Sequence, residues 1–72
     1  PGDRYSPSGL AFSPYLPEGT DEISLSDFPY RQSRLNITVR RNTSNRLLIN
    51  GKESEMIDSE IKGTNDIIIN LR

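Results

Sequence analysis

Leu35-Asn36-Ile37-Thr38-Val39-Arg40 alternates apolar and polar side chains without a break. That period of two decides the fold class, because successive side chains of a strand point to opposite faces of its sheet. Leu35, Ile37 and Val39 therefore share a dry face, and Asn36, Thr38 and Arg40 share a wet one, as in a sheet packed on a core from one side. The same period holds upstream from Asp21, where Ile23 and Leu25 oppose Glu22, Ser24 and Ser26 in a half-buried strand. Downstream, Arg46–Ile49 and the run from Lys52 flank Asn50-Gly51, a dipeptide that reaches the positive φ values of a two-residue hairpin turn. A last strand runs from Asp66 to Leu71 with Ile67, Ile69 and Leu71 facing inward, after a turn drawn from Gly63, Thr64 and Asn65. Ile68 and Leu48 point the other way, so the second face is not fully wet, as in a sandwich or a docked sheet. Glu53–Lys62 is ambiguous, since Met56, Ile57 and Ile61 fit a helical face as well as a ragged strand; it is read as extended.

The expected fold is all-β: a small antiparallel sheet or β-sandwich of about five strands over 21–72, preceded by an extended strap over 1–20. The strap follows from Pro1, Pro7, Pro14 and Pro17 with Gly2, Gly9 and Gly19, which exclude a helix. It also carries Tyr5, Leu10, Phe12, Tyr15 and Leu16, too many apolar groups for a solvated linker, so it is expected to lie against an apolar surface.

Composition removes several classes of chemistry. The 72 residues include no cysteine and no histidine, which excludes disulfides, thiolate nucleophiles, imidazole bases and zinc sites built from those ligands. Nine basic residues against ten acidic ones, with a pI of about 5.2, supply no basic field for a nucleic acid. No apolar run approaches the roughly 20 residues that cross a bilayer, so no membrane partner is expected. The chain starts at Pro1 and its one methionine is Met56, and it reads as a piece of a longer protein. At this size a core contributes no more than roughly 3 to 5 kcal/mol, so the piece is expected to lean on a neighbour.

Candidate sites are few. A catalytic carboxylate pair needs an acid and a base across a cleft, whereas Asp21, Glu22, Glu53, Glu55, Asp58 and Glu60 fall at exposed strand or turn positions. Asp58 with Glu60, or Asp21 with Glu22, lacks the ligand density and glycine placement of a calcium loop. No metal and no cofactor is expected. Arg40, Arg41 and Arg46 gather near one hairpin, where they could grip a carboxylate or phosphate, although such clusters commonly guard a sheet edge. Phe12, Tyr15 and Tyr30 are the candidate residues for packing or for stacking on a sugar ring; tyrosines beside Pro and Leu commonly pack. The sequons Asn36-Ile37-Thr38 and Asn42-Thr43-Ser44 matter only in a glycosylating secretory pathway.

Three pieces, taken in order, resemble a known family. Gly9-Leu10-Ala11-Phe12-Ser13-Pro14-Tyr15-Leu16-Pro17 resembles the segment leading from the last barrel helices into the C-terminal β-sandwich of six-hairpin glycosidases. Phe28-Pro29-Tyr30-Arg31 with Leu35-Asn36-Ile37-Thr38-Val39 is similar to a strand pair of that sandwich. Leu48-Ile49-Asn50-Gly51-Lys52 and Gly63-Thr64-Asn65-Asp66-Ile67-Ile68-Ile69 look like its hairpin and final strand. The family has (α/α)6 catalytic barrels and includes disaccharide phosphorylases and trehalase-like and debranching-type hydrolases. The resemblance implies a non-catalytic C-terminal subdomain that buttresses the (α/α)6 catalytic domain of the same parent chain. Its catalytic carboxylates belong to the barrel, so none is carried to a position here. The alternative is a free-standing module that binds carbohydrate or protein.

Overall fold

The computed structural model describes residues 14–72 in full, together with the backbone of two strands at 3–6 and 9–12. Eight strands follow in chain order: β1 (Asp3–Ser6), β2 (Gly9–Phe12), β3 (Glu22–Tyr30), β4 (Ser33–Arg41), β5 (Arg46–Ile49), β6 (Lys52–Ser54), β7 (Ile57–Asp58) and β8 (Gly63–Leu71). They form two sheets, one of three strands in the order β1-β2-β7 and one of five in the order β3-β4-β8-β5-β6. The all-β expectation holds. The strap expected over 1–20 falls largely outside the described residues, as does the Phe12 side chain.

The five-stranded sheet is mixed, where antiparallel pairing was expected. β4 and β8 run parallel from Ser33↔Gly63 to Arg41↔Leu71, while β3–β4, β5–β8 and β5–β6 are antiparallel. The cause is the route of the chain. β5 does not pair with β4, its predecessor; the chain makes the β5–β6 hairpin, crosses through β7 in the other sheet, and returns as β8 between β4 and β5. A central strand with two ladder partners suits the near-continuous apolar run Ile67-Ile68-Ile69. Ile67 is fully buried on the core side, and Ile68 pairs across to Leu48 on the other face, both half-buried as expected for a second face that is not fully wet.

β3 is longer than its alternation suggests because it contains a bulge. Leu25 pairs with Ile37 and Phe28 with Leu35, so Ser26 and Asp27 together oppose Asn36. The extra residue shifts the inward set from Ile23 and Leu25 to Phe28 and Tyr30. Asp27 takes a φ of 56° there, and its N–H donates to Asn36 Oδ1 at 3.0 Å. Pro29 sits within this strand at no cost to the inner ladder because β3 is an edge.

The Asn50-Gly51 turn has φ values of 51° and 86° and closes Ile49 onto Lys52, as its sequence requires. Asn50 also ties the hairpin to β8: its Oδ1 accepts from Asp66 N at 2.8 Å and its Nδ2 donates to Asn65 Oδ1 at 2.7 Å. The ambiguous stretch 53–62 is extended and turned, without a helix. It carries Ile57, which is fully buried and joins Tyr30, Leu35, Ile67 and Ile69 in the core. The crossover is thus what covers the sheet, with Ile57 as its fully buried side chain and Ile61 packed against the same core.

Candidate functional site

The segment 14–21 is held against one end of the sheet by groups far away in sequence. Leu16 is buried, while its neighbour Tyr15 is 76% exposed. Thr20 N–H donates to the Pro17 carbonyl at 3.0 Å, closing a turn over Glu18 and Gly19, whose φ of 86° only glycine adopts without strain. Arg41, at the end of β4, donates through Nη2 to the carbonyls of Thr20 (3.0 Å) and Pro17 (3.5 Å), and its backbone N–H donates to Asp21 O. The Asp21 carboxylate lies 3.5 Å from Arg41 Nε. One guanidinium therefore staples the approaching chain to the sheet, a role that no local sequence signal marks.

The other two arginines of the expected cluster are not gathered with it. Arg40 faces the opposite side of β4 and donates from Nε to the buried Asn70 Oδ1 at 2.9 Å. Arg46 lies on β5 with its Nε 3.8 Å from Glu53 on β6. The three cations are dispersed into three separate contacts, so no single anion-gripping cluster forms.

Several of the described carboxylates are similarly committed. Asp58 Oδ1 accepts from Glu60 N at 2.8 Å and organises the turn after β7. Asp66 Oδ1 accepts from Asn36 Nδ2 at 3.2 Å, and Asp27 lies 3.8 Å from Arg34. Among the described residues no three acidic side chains gather where they could hold a metal ion.

Tyr30 is the most unusual polar group of the core. Its ring is 8% exposed, packed with Leu35 and Ile57, and its hydroxyl is buried without a hydrogen-bond partner among the described residues. Burial, and secondarily the Asp58 carboxylate, push its phenol above the ordinary value. A ring so enclosed presents no face for a sugar to stack on. Of the three candidate aromatic residues, then, Tyr30 lies in the core, Tyr15 lies in solvent, and Phe12 lies outside the described side chains. Next to Tyr15, Pro14 borders an open hollow of about 270 Å³ with Asn45, Arg46, Glu55 and Leu71.

The core side of the sheet is covered unevenly. Leu35 and Ile67 are sealed under the crossover, yet Ile23 and Leu25 remain 44% and 50% exposed. Their register, opposite Val39 and Ile37, places them on the same side as that core. The half-buried strand expected from Ile23 and Leu25 is therefore an exposed one, because β3 is an edge strand and these two residues lie outside the packed cluster.

The family model described as Glycosyl hydrolase family 65, C-terminal domain, matches residues 4–63. No curated protein and no solved structure matches the chain.

Proposed function

The chain belongs to the glycosyl hydrolase family 65 C-terminal domains, a non-catalytic part of glycoside hydrolases and phosphorylases, and we propose that it buttresses the catalytic domain of its parent chain. By the resemblance to six-hairpin glycosidases, that catalytic domain is an (α/α)6 barrel. One observation carries the reading: residues 14–21, which lead from β2 in the three-stranded sheet to β3 in the five-stranded one, are fixed to the latter by the Arg41 bonds to Pro17 and Thr20, so the domain does not hang loosely from its own first strands. A buttress transmits restraint only through a stiff joint. A freely hinged module would leave such a segment solvated, with its carbonyls bonded to water.

The test compares the full-length enzyme with the same enzyme lacking residues 21–72. The truncated enzyme should inactivate at a lower temperature and keep its kcat/KM per folded molecule at temperatures where both are folded. Equal inactivation temperatures, or glycosidase activity in the purified 72-residue chain, would overturn the reading.

The alternative is carbohydrate binding, favoured by the exposed Tyr15, whose sequence neighbour Pro14 borders the hollow. An exposed aromatic residue one position from a hollow lined by polar groups such as Asn45 and Glu55 offers the kinds of group that a pyranose ring uses. Under this reading, titration with oligosaccharides gives a saturable change in tyrosine fluorescence that Tyr15→Ala abolishes. A flat titration removes it.

A further inference from the structure

We propose that Asn50 is a modification site gated by the fold: the closed β5–β6 hairpin protects its carboxamide from deamidation, and a chain that has opened there converts it to aspartate or isoaspartate, which joins the hairpin to β8 less tightly. The inference does not depend on the buttress reading. It concerns the one Asn-Gly step of the chain.

The reaction needs no partner but water. The Gly51 nitrogen attacks Asn50 Cγ, the Cγ–Nδ2 bond breaks, and Nδ2 leaves as ammonia with the proton that the Gly51 nitrogen gives up. Water then opens the resulting succinimide at the side-chain carbonyl, giving aspartate, or at the main-chain carbonyl, giving isoaspartate. One ammonia is lost and one water is taken up. Gly51 suits the attack because no Cβ shields its nitrogen. The other five asparagines precede Ile37, Thr43, Arg46, Asp66 and Leu71, whose side chains crowd the same approach, the β-branched Ile and Thr most of all.

Burial does not protect Asn50, since both turn residues are exposed. Hydrogen bonds do. The Asn50 N–H donates to the Asp66 carbonyl at 2.8 Å, its Oδ1 accepts from Asp66 N at 2.8 Å, and its Nδ2 donates to Asn65 Oδ1 at 2.7 Å. With both ends of the carboxamide held on β8, Cγ cannot swing onto the Gly51 nitrogen until the two side-chain bonds break together. That opening is local, because the hairpin ends in β6, a strand of three residues at the edge of the sheet. The products do not fit the same cradle. Asn65 is buried, and its Nδ2 is committed to the Lys62 and Gly63 carbonyls at 2.9 and 3.4 Å, so it cannot turn over to offer a donor. A carboxylate at position 50 therefore sets one acceptor against another where a 2.7 Å bond stood. Isoaspartate adds a methylene to the main chain of a turn built for two residues. Neither product reverts, so the turn keeps a lasting record of having opened.

The test ages the full-length enzyme and a free peptide of residues 47–53 side by side in one neutral buffer. Mass spectrometry follows the gain of about one mass unit at position 50, and labelling by an isoaspartyl methyltransferase reports the isoaspartate. Position 50 should convert at least about tenfold more slowly in the enzyme than in the peptide, because only the open fraction reacts. Hydrogen exchange in the full-length enzyme then reads the joint. In Asn50→Asp the Asp66 amide should exchange at least about tenfold faster than in the parent. Asn42→Asp adds the same charge at an exposed turn and keeps its oxygen as acceptor for the Thr43 N–H, so there the Asp66 amide should stay within about twofold of the parent. Equal conversion in enzyme and peptide would overturn the gating, and no conversion in the peptide would remove the site. Unchanged exchange in Asn50→Asp would show that the modified turn closes as before, and the record would be lost.

Discussion

Replacing Tyr30 with Phe removes one oxygen from the core and little else, and the environment of that oxygen determines the sign of the effect. The hydroxyl is buried with no hydrogen-bond partner among the described residues, so folding strips it of water without compensation. Leaving a buried polar group unsatisfied costs about 1 to 3 kcal/mol. The ring itself, packed against Leu35 and Ile57, is kept by Phe. Tyr30→Phe should therefore stabilise the chain, by about 1 kcal/mol at the lower end of that range, which is a rise of about 4 to 8 °C in Tm for a domain of this size. A second signature follows from ionisation. The folded phenol lies above its ordinary 10.0 because burial, and then Asp58, disfavour the phenolate. The unfolded chain thus releases that proton first, so the contribution is intact below about pH 10 and is lost as pH rises through the folded value. Urea unfolding, followed by far-UV circular dichroism at pH 7 and at steps above pH 10, reads both effects. The Phe variant should be the more stable at neutral pH and should fall less steeply in alkali. Destabilisation by more than about 1 kcal/mol at pH 7 would show that the hydroxyl has a partner, and the reasoning would fail.

Other substitutions probe the remaining joints. Ile57→Ala empties the one fully buried side chain of the crossover; a loss of about 2 to 5 kcal/mol is expected, comparable to the whole stability of a core this small, so the cooperative urea transition should disappear. Asn50→Ala removes the bonds to Asp66 N and Asn65 Oδ1 and places a Cβ-bearing residue without a polar side chain at φ 51°; the urea midpoint should fall by the equivalent of about 2 kcal/mol. Gly51→Ala, strained at φ 86° but with open space around its Cβ, should cost only about 1 kcal/mol. Arg41→Met frees the carbonyls of Pro17 and Thr20 while keeping most of the side-chain stem; cleavage after the exposed Glu18 by a glutamate-specific protease should accelerate several-fold, and an unchanged rate would mean that the staple restrains nothing.

The strands and their faces were legible in the sequence because period two is a local property. Leu35–Arg40, Asp66–Leu71 and the Asn50-Gly51 turn declare themselves within six residues each, and the described structure has all three where the pattern puts them. Strand order is a different kind of fact. Nothing within Asp66–Leu71 states that its neighbours are β4 and β5, and the parallel pairing depends on a crossover whose decisive residue, Ile57, sits in the stretch with the weakest periodicity. The β3 bulge was hidden for a related reason: one extra residue shifts the inward parity, so Phe28 and Tyr30 fall out of phase with Ile23 and Leu25 although all four face the same side.

The same limit explains why the exposed apolar margin escapes a reading of the sequence while the strands do not. Alternation tells which side of a strand faces apolar surroundings, but not whether those surroundings belong to the same domain. Ile23 and Leu25 carry the same pattern as Ile37 and Val39, and only their place on an edge strand outside the packed cluster separates exposed residues from half-buried ones. A domain selected to stand alone would cover that margin or place charge at positions 23 and 25, since an apolar margin on an edge strand invites aggregation. Such a margin is what a domain that folds against a permanent neighbour can tolerate. For the same reason, charge at Leu25 should cost little in the isolated chain and much in the full-length enzyme. Leu25→Asp should leave the urea midpoint of the 72-residue chain within about 0.5 kcal/mol of the parent, as for other exposed sites. In the enzyme it should lower the inactivation temperature, because there the carboxylate would be buried without a partner. Equal effects in the two contexts would mean that nothing covers this face.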